Sequence, residues 1–269
     1  MEHLFSAWNE VSQRLAASSR VALFSDYDGT LAPIVETPEL ARMPEGTKEL
    51  LEALARQRGC TVGIISGRAL SDLSERVGIK RIIYAGNHGL EIEGPGIRFI
   101  DPIAEELRPV LHLMHRALTR AMGTIKGAFV ENKGLTLSVH YRQASEQEEG
   151  HVKSIFDNTV AIARSLGKVR VTKGKKVLEV RPPVNWDKGK AIVYLMDAYA
   201  RQNGKGNILP VFLGDDVTDE DGFKVLKERN GISIHVGAGD ACSGARYFVK
   251  SPDEVRTFLG RVLECREES

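Results

Sequence analysis

A chain of 269 residues that is 42% hydrophobic and 27% charged has enough apolar side chains for one large domain, or for a core domain with a smaller insertion. Its formal net charge of +1 gives no indication of a nucleic-acid-binding surface or of a surface for acidic membranes. No stretch approaches the ~18 apolar residues of a membrane span, and the first residues lack the pattern of a secretory signal. Three isolated cysteines indicate no disulfide framework, so we expect a cytoplasmic protein, and a monomer.

Short apolar runs alternate with helical patterns over most of the chain. The runs are followed by turn or polar residues and cover residues 21–25, 61–66, 81–86, 208–214 and 232–237. Between two of them, residues 47–58 have a helical pattern, and Asp187-Lys188 is one of several helix-capping pairs. This alternation predicts an α/β fold with a parallel, Rossmann-like sheet covered on both faces.

The pattern changes between residues 104 and 181. A helix is predicted over 103–122, then strands over 128–133 and 135–142, a helix over 146–166, and strands over 168–172 and 176–181. Residues 135–142 alternate strictly between apolar and polar side chains, which is typical of a sheet with one polar face. The sequence therefore predicts a core of residues 1–103 and 182–269, interrupted by an α+β module of residues 104–181.

Two carboxylates directly follow the first apolar run, in Asp26-Tyr27-Asp28-Gly29-Thr30. Ligands of open α/β sheets bind at the carboxyl ends of the strands. One acid could bind a metal and attack an electrophile while the other moves a proton, which suits phosphoryl transfer. Calcium loops and ordinary turns share this pattern, but the apolar residues after Thr30 argue against a calcium loop.

Three further segments place reactive residues at predicted strand ends or helix starts. Ser66 follows a strand, Lys188 begins a helix, and an acidic run that starts at Asp215 follows the strand 208–214. Taken singly, these could be a turn, a solvated lysine and a capped helix start. Stacked carboxylates repel one another unless a cation neutralises them, and an all-oxygen ligand set suits Mg²⁺ better than zinc.

The four segments, in this order, resemble the haloacid-dehalogenase-like phosphatase superfamily. The resemblance rests on Asp-x-Asp-Gly-Thr-Leu at residues 26–31 and Gly-Asp-Asp-x-Thr-Asp-Glu at residues 214–220. Further motifs resemble the trehalose-6-phosphate phosphatase family, at residues 65–68, 86–89, 130–134, 140–142, 178–182 and 187–191. The resemblance implies the superfamily's core fold with an inserted cap of its second type, called C2.

The resemblance also implies roles for the motif residues. Asp26 would be the nucleophile that forms an aspartyl-phosphate, and Asp28 the acid and base. Magnesium would be bound by Asp26, Asp215 and the backbone carbonyl of Asp28. Ser66 and Lys188 would bind phosphate oxygens; Asp219 would support the metal waters, and Asp216 would steady Lys188.

A sugar phosphate is the substrate class that the resemblance implies. The residues expected to contact it are Arg68, Asn87, His88, Glu131, Lys133, Arg142, Lys176 and Glu179. Those in the inserted module could instead form solvent-facing cross-strand pairs. The competing functions are a phosphatase for another glycosyl phosphate, a phosphomutase and a non-catalytic sugar-phosphate sensor; a dehalogenase is disfavoured, because its chemistry needs neither the second acid nor the metal.

Overall fold

The structure is a computed structural model, which describes residues 1–35, 37–174, 176–204, 206–239 and 242–267. The chain divides into two compact units. The first consists of Met1–Phe99 with Trp186–Ser269, and the second of Ile100–Asn185. The sequence placed the inserted module at residues 104–181, and its function as a cap remains a prediction.

The first unit begins with most of one sheet and three of its helices. The strands are β1 (Glu2–His3), β2 (Arg20–Ser25), β3 (Cys60–Ile65), β4 (Ile83–Gly86), β5 (Glu91–Gly94) and β6 (Ile97–Ile100). The helices are α1 (Trp8–Ala17), α2 (Thr47–Arg56) and α3 (Leu70–Val77).

The second unit alternates helices with pairs of strands. Its elements are α4 (Pro102–Glu106), α5 (Arg108–Met122), β7 (Phe129–Asn132), β8 (Leu137–His140), α6 (Glu146–Ser165), β9 (Arg170–Gly174) and β10 (Val177–Arg181). The single helix predicted over 103–122 is wrong, because the structure ends α4 before Leu107. Pro109, in the first turn of α5, has no N–H to donate and so cannot continue the hydrogen bonding of α4.

The chain then completes the first unit. The remaining elements are α7 (Lys188–Asn203), β11 (Ile208–Gly214), α8 (Glu220–Glu228), β12 (Ile232–Val236), β13 (Tyr247–Val249) and α9 (Pro252–Glu267). The Asp187 side chain caps α7 by accepting a hydrogen bond from the backbone N–H of Lys190 at 2.8 Å.

A largely parallel sheet forms the centre of the first unit. The strand order among the described residues is β1-β13-β12-β11-β2-β3-β4-β5-β6, and neighbouring strands from β1 to β4 in this order pair in parallel. Separate clusters of buried apolar side chains lie on its two faces, one around Leu23 and Val211 and the other around Phe24 and Phe212. This confirms the predicted α/β class and explains the uninterrupted apolar runs, since a strand covered on both faces needs apolar residues at successive positions.

The edges of this sheet were not predicted. β1 pairs in parallel with β13, and β5 pairs antiparallel with β4. These strands are two to four residues long, too short for alternation or an apolar run to identify them.

The second unit has its own four-stranded antiparallel sheet, in the order β7-β8-β10-β9. Leu137, Val139, Leu178 and Val180 point to the face covered by α5 and α6, in a buried apolar cluster. On the opposite face, the register aligns Glu131, Ser138, Glu179 and Thr172 in one row across all four strands. The sheet therefore has the polar face that the alternation predicted. In neither unit is any described helix long and apolar enough to cross a membrane.

Candidate active site

Asp26 lies where β2 leaves the central sheet. Its backbone N–H still donates to Leu213 of β11 at 2.8 Å, and its carboxyl group is almost completely buried. Because β2 lies between β11 and β3, the segments that follow those two strands flank Asp26 at the carboxyl edge of the sheet. The site is therefore at the edge where ligands of parallel sheets bind.

Lys188 neutralises part of this buried charge. Its ammonium group donates to Asp26 Oδ1 at 2.8 Å and to Asp219 Oδ1 at 2.7 Å, and its side chain is only 3% exposed. The sequence assigned the support of Lys188 to Asp216, and that assignment is wrong. Asp216 is exposed, and its carboxylate accepts a hydrogen bond from the backbone N–H of Thr218.

Asp219 connects the lysine to the loop after β11. Its second oxygen accepts from the backbone N–H groups of Asp215 and Asp216, each at 3.1 Å, and the residue is fully buried. Asp216 and Asp219 together form a capping box for the turn Val217–Asp219. Asp219 thus fixes both Lys188 and the backbone that presents Asp215.

Asp215 completes a compact group of carboxylates. One ligand oxygen from each of Asp26, Asp215 and Asp219 can be chosen such that all three lie within 4.8 Å of one another. The Thr30 hydroxyl donates to Asp215 Oδ1 at 3.4 Å. A Cβ at Gly29 would lie 2.0 Å from Asp215 Oδ2, so a side chain at position 29 would occupy the place of this carboxylate.

The electrostatics of the group show that its negative charges are incompletely compensated. Burial raises the pKa of Asp26 well above its ordinary value; Lys188 opposes this, and Asp219 and Asp215 add to it. Burial, followed by the charges of Asp219 and Asp216, raises the pKa of Asp215 from 3.8 to about 7. Burial lowers the pKa of Lys188, but Asp26 and Asp219 outweigh it and raise that pKa above the ordinary value, so the lysine stays charged.

These residues fit a magnesium ion. The cluster contains three carboxylates and one ammonium group, and its donors are all oxygens, which hard divalent cations prefer. Asp219 already uses both oxygens for Lys188 and the backbone N–H groups, whereas Asp215 is partly exposed. Asp26 and Asp215 are thus the carboxylates best placed to bind the ion.

Ser66 lies at the end of β3, next to β2 in the sheet. Its hydroxyl oxygen accepts from the backbone N–H of Arg68 at 3.2 Å. Within the described residues the Ser66 O–H has no acceptor, so its proton is available to an oxyanion. This geometry is compatible with the predicted contact to phosphate.

The turn at Asn87 and His88 packs against the Ser66–Arg68 segment. The backbone N–H groups of His88 and Asn87 donate to the carbonyls of Ser66 and Arg68 at 2.8 and 2.7 Å. Asn87 is fully buried, and its side-chain amide donates to Glu91 at 2.8 Å. The structure gives Asn87 a part in shaping this turn, and its contact with substrate stays a prediction. His88 is partly exposed, and its ring lies over Gly67.

Asp28 is separate from the carboxylate cluster, and its side chain interacts with Arg68. The guanidinium donates Nε–H to Asp28 Oδ2 at 2.7 Å and Nη2–H to Oδ1 at 2.6 Å. The sequence predicted that Arg68 contacts substrate; in the structure each of its three guanidinium nitrogens donates one hydrogen bond to a carboxylate of the protein. The side chain of Asp28 is not part of the carboxylate cluster of Asp26, Asp215 and Asp219, so only its backbone carbonyl remains as the predicted metal ligand.

The predicted sugar-contacting residues of the second unit fall into two sets. Glu131, Lys133 and Glu179 belong to the polar face of the sheet; Glu131 forms an ion pair with Lys133 at 3.8 Å, and Glu179 accepts a hydrogen bond from Thr172 at 3.1 Å. Lys176 instead forms an ion pair with Glu149 of α6. Arg142 is exposed beyond the end of β8 and has no ion-pair partner in the described parts of the chain.

Two carboxylates that were not predicted from the sequence hold residues of the site in place. Asp72 binds Arg68, and Glu91 binds both Asn87 and the backbone N–H of Leu70. The four-residue spacing of Arg68, Asp72 and Arg76 at a helix start was a usable signal for the first of these contacts. Glu91 lies on the short strand β5, which was not predicted, and offered no such signal.

A buried aspartate paired with lysine after β2 of a largely parallel sheet, with carboxylates after β11, places the chain among proteins with the haloacid-dehalogenase-like fold. Within that class, the family profile described as trehalose-phosphatase matches residues 24–253, and the chain belongs to this family.

Named relatives agree with this family. The chain is 36% identical over 260 residues to a probable trehalose-phosphate phosphatase D of Arabidopsis thaliana, covering 93% of this chain and 69% of that protein. It is 38% identical over 252 residues to the trehalose-phosphate phosphatase of Mycobacterium tuberculosis, covering 92% of this chain but 62% of that protein. The C-terminal domain of a Candida albicans trehalose-6-phosphate phosphatase has the same fold, with a TM-score of 0.76, 23% identity and coverage of 95% and 96% of the two chains.

Proposed function

We propose that the chain is a magnesium-dependent phosphatase that hydrolyses trehalose 6-phosphate to trehalose and inorganic phosphate. The observation that supports this most strongly is the buried Asp26, paired with Lys188 beside Asp215 at the carboxyl edge of the sheet, in a chain that belongs to the trehalose-phosphatase family. The names of its relatives give the substrate. A monomeric state and a cytoplasmic location remain predictions.

In the first half-reaction, the Asp26 carboxylate attacks phosphorus and the bond from phosphorus to the sugar oxygen breaks. Lys188 fixes the orientation of the Asp26 carboxylate through Oδ1. A sugar alkoxide is a poor leaving group, so Asp28 donates a proton to it as the bond breaks, a contribution on the order of 10²–10⁴-fold. The Ser66 hydroxyl donates to a non-bridging phosphate oxygen.

In the second half-reaction, Asp28 takes a proton from water, which attacks phosphorus of the aspartyl-phosphate. Inorganic phosphate leaves, and the Asp26 carboxylate is restored. Magnesium bound by Asp26, Asp215 and the backbone carbonyl of Asp28 would reduce the repulsion between these carboxylates and the phosphoryl group.

The second unit supplies the groups that recognise the sugar. A disaccharide phosphate offers many hydroxyls and one dianion, so its recognition requires carboxylates and cations together. Glu131, Lys133 and Glu179 on the polar face of the sheet, with the exposed Arg142, have this chemistry. Lys176 remains a candidate only if its pairing with Glu149 breaks on binding.

The experiment that tests the function is phosphate release from a panel of sugar phosphates, with Mg²⁺ and with a chelator. We expect Mg²⁺-dependent release that is fastest with trehalose 6-phosphate. Faster release from sucrose or glucosylglycerate phosphate would reassign the substrate. Formation of an isomeric sugar phosphate without phosphate release would indicate a mutase.

Asp26→Asn removes the proposed nucleophile while preserving the shape of the side chain. We expect no turnover above background and an intact fold by circular dichroism. Asp253→Asn is the matched control, because it makes the same chemical change at an exposed helix start and should retain wild-type activity. Substantial Mg²⁺-dependent turnover by Asp26→Asn would refute the assignment of the nucleophile.

A further inference from the structure

Arg68 binds Asp28 in the geometry that an arginine fork and a carboxylate form best. Two parallel N–H···O bonds, of 2.7 and 2.6 Å, join Nε and Nη2 to the two oxygens of the carboxylate. Such bidentate pairs fix orientation as well as position, which a single bond from lysine does not. The plane of the Asp28 carboxylate is therefore set by the guanidinium.

The guanidinium is itself immobilised. Its third nitrogen, Nη1, donates to Asp72 at 2.8 Å, and Asp72 also accepts from Arg76 Nε at 2.8 Å. Arg68 is buried, and its guanidinium carbon lies 5.3 Å from the centre of the Tyr27 ring. Asp28, by contrast, has a side chain that is 41% exposed, and within the described residues Arg68 is its ion-pair partner.

We propose that Arg68, anchored by Asp72, is a positioning residue that orients the Asp28 carboxylate for proton transfer and does not itself contact substrate. The proposal rests on the acid and base role of Asp28 in the proposed function. It differs from the role that the sequence suggested for Arg68, because all three guanidinium nitrogens donate to carboxylates of the protein.

The fork leaves Asp28 able to react. A carboxylate offers about four lone-pair positions, and Arg68 uses one on each oxygen. The other positions lie on a side chain that is substantially exposed, where a leaving oxygen or a water can reach them. A proton-transfer group needs its orientation held to roughly 10–20°, which an unrestrained aspartate does not achieve.

The test is the dependence of kcat/KM on the leaving group. A series of aryl phosphates from 4-nitrophenyl to phenyl phosphate needs progressively more help from an acid, and it requires no sugar recognition. For kcat/KM, the relevant step is the transfer of the phosphoryl group to Asp26. We expect Arg68→Ala to lower kcat/KM by roughly 10²-fold or more for phenyl phosphate, but by less than about tenfold for 4-nitrophenyl phosphate. The reason is that a general acid contributes most to the poorest leaving group.

Two further variants keep the proposal testable if Arg68→Ala does not fold. Arg68→Lys retains the charge but not the fork, and Asp72→Asn loosens the anchor; both should steepen the leaving-group dependence by a smaller factor. Arg56→Ala is the control, since it removes an arginine whose carboxylate partner, Glu52, lies one helical turn away on the surface, and it should leave the dependence unchanged.

Asp28→Asn separates a failure of this inference from a failure of the proposed function. If Asp28 is the acid, Asp28→Asn steepens the dependence, and adding Arg68→Ala to it causes little further change. If Asp28→Asn leaves the dependence unchanged, the acid assignment fails and the inference fails with it. Suppose instead that Asp28→Asn steepens the dependence but Arg68→Ala lowers kcat/KM equally for all substrates, or raises it. Arg68 is then a structural residue or a restraint on Asp28, and the inference alone is overturned.

Discussion

At the scale of single residues, Gly29 shows how closely the backbone approaches the carboxylate cluster of Asp26, Asp215 and Asp219. It has a φ of +82°, and a Cβ built on it would lie 2.0 Å from Asp215 Oδ2. Glycine adopts this conformation without strain, while any side chain would be strained and would also displace the Asp215 carboxylate. The glycine after Asp28 is therefore required both by the turn and by the carboxylate opposite it.

We predict that Gly29→Ala raises the Mg²⁺ concentration needed for half-maximal activity by at least about tenfold and lowers the free energy of unfolding by about 1–3 kcal/mol. Mg²⁺ titrations of activity and denaturant unfolding measure the two effects. Gly150→Ala is the matched control, because it lies in α6 with open space around its Cβ position. That change should stabilise the protein by about 0.5–1 kcal/mol without changing Mg²⁺ activation; a normal Mg²⁺ response in Gly29→Ala would contradict the prediction.

The reactive residues of the core could be predicted from the sequence, but several of their partners could not. Asp26, Lys188 and Asp215 follow apolar runs or a capping residue, so local pattern placed them at one edge of a sheet. The choice between Asp216 and Asp219 as the partner of Lys188 depends on which carboxylate the turn Val217–Asp219 directs inward. Local pattern does not contain that information, since both residues suit a helix start.

At the scale of elements, the sheet of the second unit was the most predictable feature of the insertion. Alternation in residues 135–142 identified its two faces because a strand with one covered face repeats every two residues. The row of Glu131, Ser138, Glu179 and Thr172, however, depends on the register between four strands. Register is set by pairing across up to 41 residues of sequence, from Ser138 to Glu179, which the sequence alone did not reveal.

We predict that Glu179→Gln, in the centre of this row, raises KM for trehalose 6-phosphate by about 10- to 100-fold, the loss expected for a hydrogen bond to a charged group. The kcat/KM for 4-nitrophenyl phosphate should stay the same, because that substrate has no sugar hydroxyls. Glu146→Gln makes the same change at an exposed position of α6 and should affect neither substrate. Equal losses on both substrates would show that Glu179 supports the fold rather than the sugar.

At the scale of the whole molecule, the charged cluster exists only in the folded state. Asp26 precedes the inserted unit, whereas Lys188, Asp215 and Asp219 follow it, and the Asp26–Lys188 contact spans 162 residues. In an unfolded chain these carboxylates are apart and solvated. Folding brings them together and buries them, so the cluster costs free energy that a bound cation can offset.

This cost gives the stability of the protein a defined pH dependence. The pKa of Asp215 rises from 3.8 to about 7 on folding, so between these values the folded state binds more protons than the unfolded state. Stability of the metal-free protein must then fall as pH rises through this window, with a slope of at most about 1.4 kcal/mol per pH unit for one group. The raised pKa of Asp26 acts in the same direction.

We therefore predict that Mg²⁺ raises Tm more at pH 7.5 than at pH 5, because the ion binds ionised carboxylates and competes with protons below the folded-state pKa. Thermal unfolding in chelator and in Mg²⁺ at both pH values measures this. Asp215→Asn isolates the group responsible: without the titrating carboxyl, Tm in chelator should fall less steeply between pH 5 and 7.5, and most of the Mg²⁺ effect should disappear. An equal Mg²⁺ effect at both pH values in the wild type would show that these carboxylates are ionised at pH 5, and that their burial in the folded molecule does not control metal binding.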